Sequence, residues 1–164
     1  MLRDKSLIPL SHQHQHALAL CVRIDRASPI AEADLAAWQG EISQHFRSEI
    51  TFHFAAEERV LFPAARRFQE LTPLIDDLLA DHSFLRARFA ESETATLSPP
   101  DLHTFAQRLA QHVRKEERQL FERLQELLSA EELATLGVQL AEQLKDTEQA
   151  CLLPNQATKL RAAP

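Results

Sequence analysis

Glycine is almost missing from this chain. Its 164 residues contain 2 Gly and no Tyr, and Val and Ile together supply 10 residues against 50 from Leu and Ala. Sheets favour β-branched and aromatic side chains, and their hairpins need Gly or Asn-Gly turns, so an all-β fold is excluded. The same shortage removes Gly-rich phosphate loops and dinucleotide-binding fingerprints. Basic clusters are also lacking: no run of Lys and Arg exceeds two, as at Arg66-Arg67 and Arg114-Lys115, and the formal charge is −6. A nucleic-acid partner would need a basic face, so none is expected. No apolar stretch approaches the roughly 18 residues of a membrane span, and MLRDKSLIPL has no apolar secretion core, so a cytoplasmic protein without a membrane partner is expected. Cys21 and Cys151 are isolated thiols without CxxC spacing, which fits that compartment.

What is present in excess is histidine, 8 residues in an acidic protein. Proline and capping signals place these histidines on helices. Leu10, His14, Ala17, Leu18, Cys21 and Ile24 recur at three- and four-residue spacing, predicting a first helix that ends before Ser28-Pro29. A second, long helix starts near Asp34 and runs to Pro63, where a kink is expected. Thr72-Pro73 reads as an N-cap with Pro at the first helical position, opening a third helix that fades near Ser92. Ser98-Pro99 repeats that signature for a fourth helix reaching about Leu128. Ser129-Ala-Glu-Glu132 is a capping box that starts a fifth, from about Ala130 to Lys145. The remainder is expected to be a loose tail. Short connections between long helices predict an all-α, up-down-up-down four-helix bundle over residues 1–128, with a C-terminal helix and tail over 129–164.

His53 and Glu57, four apart, project from one helix face, and His112 and Glu116 repeat the spacing on the fourth helix. The surroundings repeat too: His53-Phe-Ala-Ala-Glu57-Glu58-Arg-Val-Leu61-Phe62 against His112-Val-Arg-Lys-Glu116-Glu117-Arg-Gln-Leu120-Phe121. More loosely, Leu10 lies four before His14, and Leu78 four before His82, which Asp81 precedes. Residues facing each other across an antiparallel hairpin have the turn near their midpoint. The midpoints of His14/His53, His53/His82 and His82/His112 are about 33, 67 to 68 and 97, each at or near an expected break. Four histidines from four helices therefore share one level. Two imidazoles and a carboxylate from each half suit a dinuclear centre of iron, manganese or zinc, and the lack of thiolates disfavours copper(I) or an iron–sulfur cluster. Carboxylates spanning two cations offset a charge that would be costly alone in a dry interior.

His14 is preferred to His12 and His16 because it shares the Leu10, Ala17, Cys21 face. Glu58 and Glu117 read as outer groups next to the ligands. His45 and Glu49 continue the column at steps of four, as supports of the site or as helix surface. His103 is expected to be exposed, Cys21 to be a buried apolar thiol, and Trp38 and the nine Phe to be core.

The set His14, His53-x-x-x-Glu57-Glu58 with Leu61-Phe62-Pro63, Asp81-His82, and His112-x-x-x-Glu116-Glu117 with Leu120-Phe121 resembles the hemerythrin-like proteins, or HHE cation-binding domains, over about residues 8 to 125. The resemblance implies a four-helix bundle with a carboxylate-bridged, non-haem di-iron centre that binds dioxygen in its best-known members. Oxygen carriers of the family have a second His four residues after the third-helix one; here that position is Arg86. The implied set is then nearly symmetric, with His14 and His53 on one iron, His82 and His112 on the other, and Glu57 and Glu116 bridging. Simple oxygen carriage loses weight, and binding or sensing of dioxygen, a related diatomic, peroxide or iron gains it. The alternatives are a di-iron redox enzyme acting on nitric oxide or peroxide or repairing iron centres, and iron storage. A non-catalytic or weakly catalytic protein, monomer or homodimer, is the reading adopted.

Overall fold

In the computed structural model, residues 2–147 and 155–158 are described. The described residues form five helices and no strand: α1 (Ile8–Ala27), α2 (32–65), α3 (Thr72–Glu93), α4 (99–127) and α5 (Ala130–Leu144). The first four make the antiparallel bundle. α1 packs on α4, α4 on α3, and α3 on α2. Expected and observed breaks agree, at 28–31, 66–71 and 94–98. α5 packs against the second half of α2.

The caps follow the sequence at two helices and depart from it at one. Ser98 caps α4 by accepting from the Asp101 amide at 3.3 Å, and Ser129 and Glu132 form the reciprocal capping box of α5. Thr72, expected as an N-cap, is instead the first helical residue. A short 3₁₀ turn, Gln69–Leu71, runs directly into α3 and puts the cap position at Leu71. Pro73 is thereby the second helical residue, where its missing N–H is still harmless.

Pro63 does not end or sharply interrupt α2. The departures from α geometry are wide π turns at Phe46–Ile50 and Glu57–Leu61, with a third in α4 at Glu116–Leu120. Two of the three begin at the duplicated Glu, and the one in α4 has no proline near it. The duplication therefore extends to backbone shape, and π turns of this kind occur often where a helix builds a functional site. The helix resumes as Phe62–Ala65, and the Arg66 amide still bonds the Phe62 carbonyl at 2.8 Å.

Two apolar cores lie at opposite ends of the bundle. One gathers Leu20, Ile24, Trp38, Ile42, Phe89, Phe105 and Leu109; the other gathers Leu7, Leu10, Leu61, Phe62, Leu78, Leu120, Phe121 and Leu136. The polar level of His14, His53, His82 and His112 separates them. Trp38 and five of the nine Phe are buried as expected, whereas Phe46, Phe52, Phe68 and Phe84 are half-buried. Cys21 is the buried apolar thiol anticipated, and burial pushes its pKa up to about 12. Cys151 and most of the expected loose tail lie outside the described residues. Asn155–Thr158 corrects that expectation in part: Gln156–Thr158 is a 3₁₀ turn, Ala157 packs on the first core, and the Asn155 side chain donates to buried Glu41, which also pairs with Arg23.

The two glycines make a paired test of packing. A Cβ on Gly40, in α2, would meet nothing within 4 Å, whereas one on Gly137, in α5, would lie 2.7 Å from Ser6 Oγ and 3.1 Å from Ser6 Cα. Gly40→Ala is expected to stabilise the protein by about 0.5–1 kcal/mol through helix propensity alone. Gly137→Ala, with the same propensity gain, is expected to destabilise by about 1–2 kcal/mol because α5 and the N-terminal segment must part. Urea unfolding of both variants checks the opposite signs.

Candidate metal centre

All six residues singled out from the spacing meet at one level of the bundle. Two groups form, each with donor atoms within 4.8 Å of one another: His14, His53, Glu57 and Glu116, and Glu57, His82, His112 and Glu116. Both groups share the two glutamates, and every member is buried. Donors on opposite sides of an ion bound at 2.0–2.2 Å stand up to about 4.4 Å apart, and the His–Glu contacts within the groups, 3.0–3.9 Å, lie inside that span. Inward-facing atoms make the contacts. His53 Nε2 lies 3.0 Å and His82 Nε2 3.3 Å from the two oxygens of Glu57, and His14 Nε2 and His112 Nε2 lie 3.1 and 3.3 Å from Glu116 Oε2. His14 Nε2 and His53 Nε2 face each other at 3.0 Å.

The outward nitrogens are held by other groups. His14 Nδ1 lies 2.7 Å from Glu117 Oε1, His53 Nδ1 2.7 Å from Gln13 Oε1, and His82 Nδ1 2.7 Å from Glu58 Oε1. His112 Nδ1 faces Asp81 Oδ2 at 3.6 Å, beyond hydrogen-bond reach but within that of charge. An imidazole that gives its Nδ1–H to an acceptor presents a lone pair at Nε2, the arrangement of metal-binding histidines generally. The lone pairs of His14, His53 and His82, and the Nε2 of His112, then converge on two carboxylates whose oxygens accept no hydrogen bond, and His82 Nε2 and His112 Nε2 likewise have none. Buried polar atoms left this way are costly unless something positive binds them. The residues present thus fit a pair of cations.

Charge alternates outward from the centre. Behind the histidines stand Glu117, Glu58 and Asp81, and behind these stand Arg3, Arg86, and Arg108 with Lys115. Arg86 therefore serves as partner of Glu58 at 2.7 Å rather than as a site ligand, and its guanidinium also lies over Phe54, 5.3 Å from the ring centroid. Phe54 in turn stacks on His82 at 3.8 Å, and Phe121 stacks on His14 at 5.5 Å. These rings fix the imidazole planes and keep water from the centre.

Sequence reasoning placed Glu58 and Glu117 next to the ligands, and the structure assigns them the outer nitrogens of His82 and His14. It missed Gln13, although a signal existed: Gln13 lies three after Leu10 and four before Ala17, a polar residue on an apolar stripe. Asp81 was noted only as the neighbour of His82. On α1, His14 is the histidine that faces the group; His12 is exposed, and His16 turns to Glu49 at 2.9 Å. His45 and Glu49 are neither helix surface nor supports of the four site histidines. They form their own buried pair at 3.1 Å, and Glu49 also faces His16 of α1. His103 is half-buried rather than exposed and is bonded to Gln107 at 2.9 Å.

With these features in place, the comparison with known families is direct. Residues 9–124 match the model of the hemerythrin HHE cation binding domain, and the chain belongs to that metal-binding family. No curated protein and no solved structure gives a significant match.

The ionisations set a pH profile for the metal-free protein. Burial opposes a charge on His14 and His82, but the carboxylates around each outweigh it and raise their pKa values to about 10 and about 9. His82 and then Arg86 outweigh burial at Glu58 and hold its pKa at about 2; at Glu117, burial is outweighed by His14 and Ser11, again leaving about 2. Raised histidines stabilise fully below their ordinary 6.5, and that contribution is lost as pH climbs through 9 to 10. Lowered carboxylates stabilise above 4.5 and lose it as pH falls towards 2. Chelator-treated protein is therefore expected to melt highest between about pH 4.5 and 6.5. Thermal scans at pH 3, 5.5 and 9.5 check this, and a flat profile would contradict the assigned partners.

Proposed function

We propose that the chain is a non-haem di-iron protein that binds or senses dioxygen or a related small ligand. His14 and His53 would hold one iron and His82 and His112 the other, with Glu57 and Glu116 available to both. The observation that carries this reading is the convergence of four inward Nε2 atoms on two buried carboxylates whose oxygens have no hydrogen-bond partner. When bound, a ferrous pair supplies electrons and open coordination positions for a small exogenous ligand. Each group offers two imidazoles and two carboxylates, four donors where iron commonly takes more, so space for that ligand follows from the count.

The chain's own residues do the rest. Glu57 and Glu116 offset cation charge that the apolar cores could not solvate. Glu58 and Glu117 fix the tautomers of His82 and His14. Phe54, Phe62 and Phe121 exclude bulk water from the centre. The sequence has no Tyr, and Cys21, the one cysteine among the described residues, belongs to the first core with a thiol raised to about 12. The donors also suit manganese or zinc, and metal analysis separates the three.

Purified protein loaded with iron under anaerobic conditions is expected to carry two iron per chain and to develop an oxo-bridged di-iron absorption on admitting oxygen. An iron-loaded protein whose spectrum ignores oxygen, nitric oxide and peroxide would overturn the small-ligand reading. Glu57→Ala and Glu116→Ala are each expected to abolish binding of the pair while leaving the helical circular dichroism intact. Removing the metal should lower the melting temperature, since an ion that binds only the folded state at 100 times its Kd adds about 2.7 kcal/mol.

A further inference from the structure

The near-duplication of the two halves breaks at the outer nitrogens of the histidines, and Gln13 is where it breaks. His14 and His82 give their Nδ1–H groups to carboxylates at 2.7 Å. His112 faces the carboxylate of Asp81, wholly buried and 3.6 Å away. His53 alone faces a neutral acceptor, the amide oxygen of Gln13, itself buried between α1 and α2. A carboxylate behind an imidazole makes its inner nitrogen a stronger donor and stabilises positive charge on the ring and on what it binds; an amide does this less.

We propose that Gln13 makes the two metal positions unequal: the position between His82 and His112 fills first, and the position between His14 and His53 holds its ion more weakly and is the one that exchanges. This rests on the di-metal reading above. Each position shares the same two glutamates and has one imidazole backed by a carboxylate at 2.7 Å, so these cancel between them. What differs is His53, hydrogen-bonded to a neutral amide, against His112, which faces at 3.6 Å a buried carboxylate that Arg108 and Lys115 also pair. Ring packing acts in the same direction. His82 is clamped by Phe54 at 3.8 Å and Phe62 at 5.4 Å, whereas His14 has Phe121 alone at 5.5 Å. Gln13 is thus a positioning residue that acts through His53, with the weaker ion as its consequence.

Two cations repel each other, so stepwise binding would occur even at equal positions, and the location of the first ion decides the matter. Chelator-stripped protein crystallised with one equivalent of manganese(II) is expected to show anomalous density between His82 and His112. Density between His14 and His53, or divided equally, overturns the proposal. In solution, calorimetric titration with manganese(II) is expected to resolve two steps. Gln13→Glu should strengthen the second step by roughly 10-fold to 100-fold and leave the first unchanged, and Asp81→Asn should weaken the first by a similar factor. Equal effects of Gln13→Glu on both steps, or none on the second, would overturn it. Should Gln13→Glu fail to fold, the Asp81→Asn titration and the one-equivalent map of the unmodified protein still decide. Failure to bind manganese or iron at all would defeat the di-metal reading itself, whereas two ions bound without preference would defeat only the inequality.

Discussion

Two carboxylates with no exposure to solvent, Glu57 and Glu116, stand at the centre of the bundle, and the rest of the structure is organised around their charge. A buried anion is tolerated only when opposite charge and hydrogen bonds surround it. Here four imidazoles from four helices stand 3.0–3.3 Å from the carboxylate oxygens without hydrogen-bonding them, and bound cations would supply the opposite charge. Glu117, Glu58 and Gln13 in turn accept hydrogen bonds from the outer nitrogens of His14, His82 and His53, and Asp81 faces that of His112 at 3.6 Å. Those anions are matched by Arg3, Arg86, Arg108 and Lys115 near the surface. Each layer exists because the one inside it would otherwise be unsatisfied. This also accounts for Arg86: a cation at that place completes the outermost layer, and the Arg–Glu58–His82 line holds together without a further ligand.

The apolar cores are the counterpart of this polar level. Trp38, Phe89 and Phe105 seal one side, and Phe62, Phe121 and Leu78 the other, so the dielectric stays low where the charges meet. Low dielectric strengthens every paired interaction and penalises every unpaired one. A bundle with this middle is held in register by chemistry as well as by packing, because sliding one helix by a turn would strand a carboxylate or an imidazole.

Much of this was legible in the chain, and for identifiable reasons. Proline, Ser caps and the 3.6-residue rhythm are local signals, so the helices and their order could be placed without any structure. The repeated His-x-x-x-Glu-Glu places two candidate donors on one face of a helix, and the midpoints relate the four helices through nothing more than hairpin geometry. Failures came where local and tertiary preferences differ. Thr72 is a good cap by composition, yet the preceding turn leads straight into α3. Pro63 is a helix breaker, yet the π turn before it leaves the helix to continue. His45 and Glu49 sit on a face that periodicity alone assigns equally to surface or interior, and tertiary packing buries them. Asn155–Thr158 reads as tail, but Glu41 and the first core hold it.

By itself the sequence determined an all-α bundle, four histidines at one level, and the two glutamates beside them, because spacing along a helix and symmetry about a turn are one-dimensional facts. Tertiary structure decided which acceptor stands behind each histidine. Gln13 reaches His53 from forty residues away, Asp81 faces His112 from α3 to α4, and Arg3 reaches Glu117 from 114 residues away. Such pairings depend on how helices rotate and lean against one another, and no periodicity within a single helix records that.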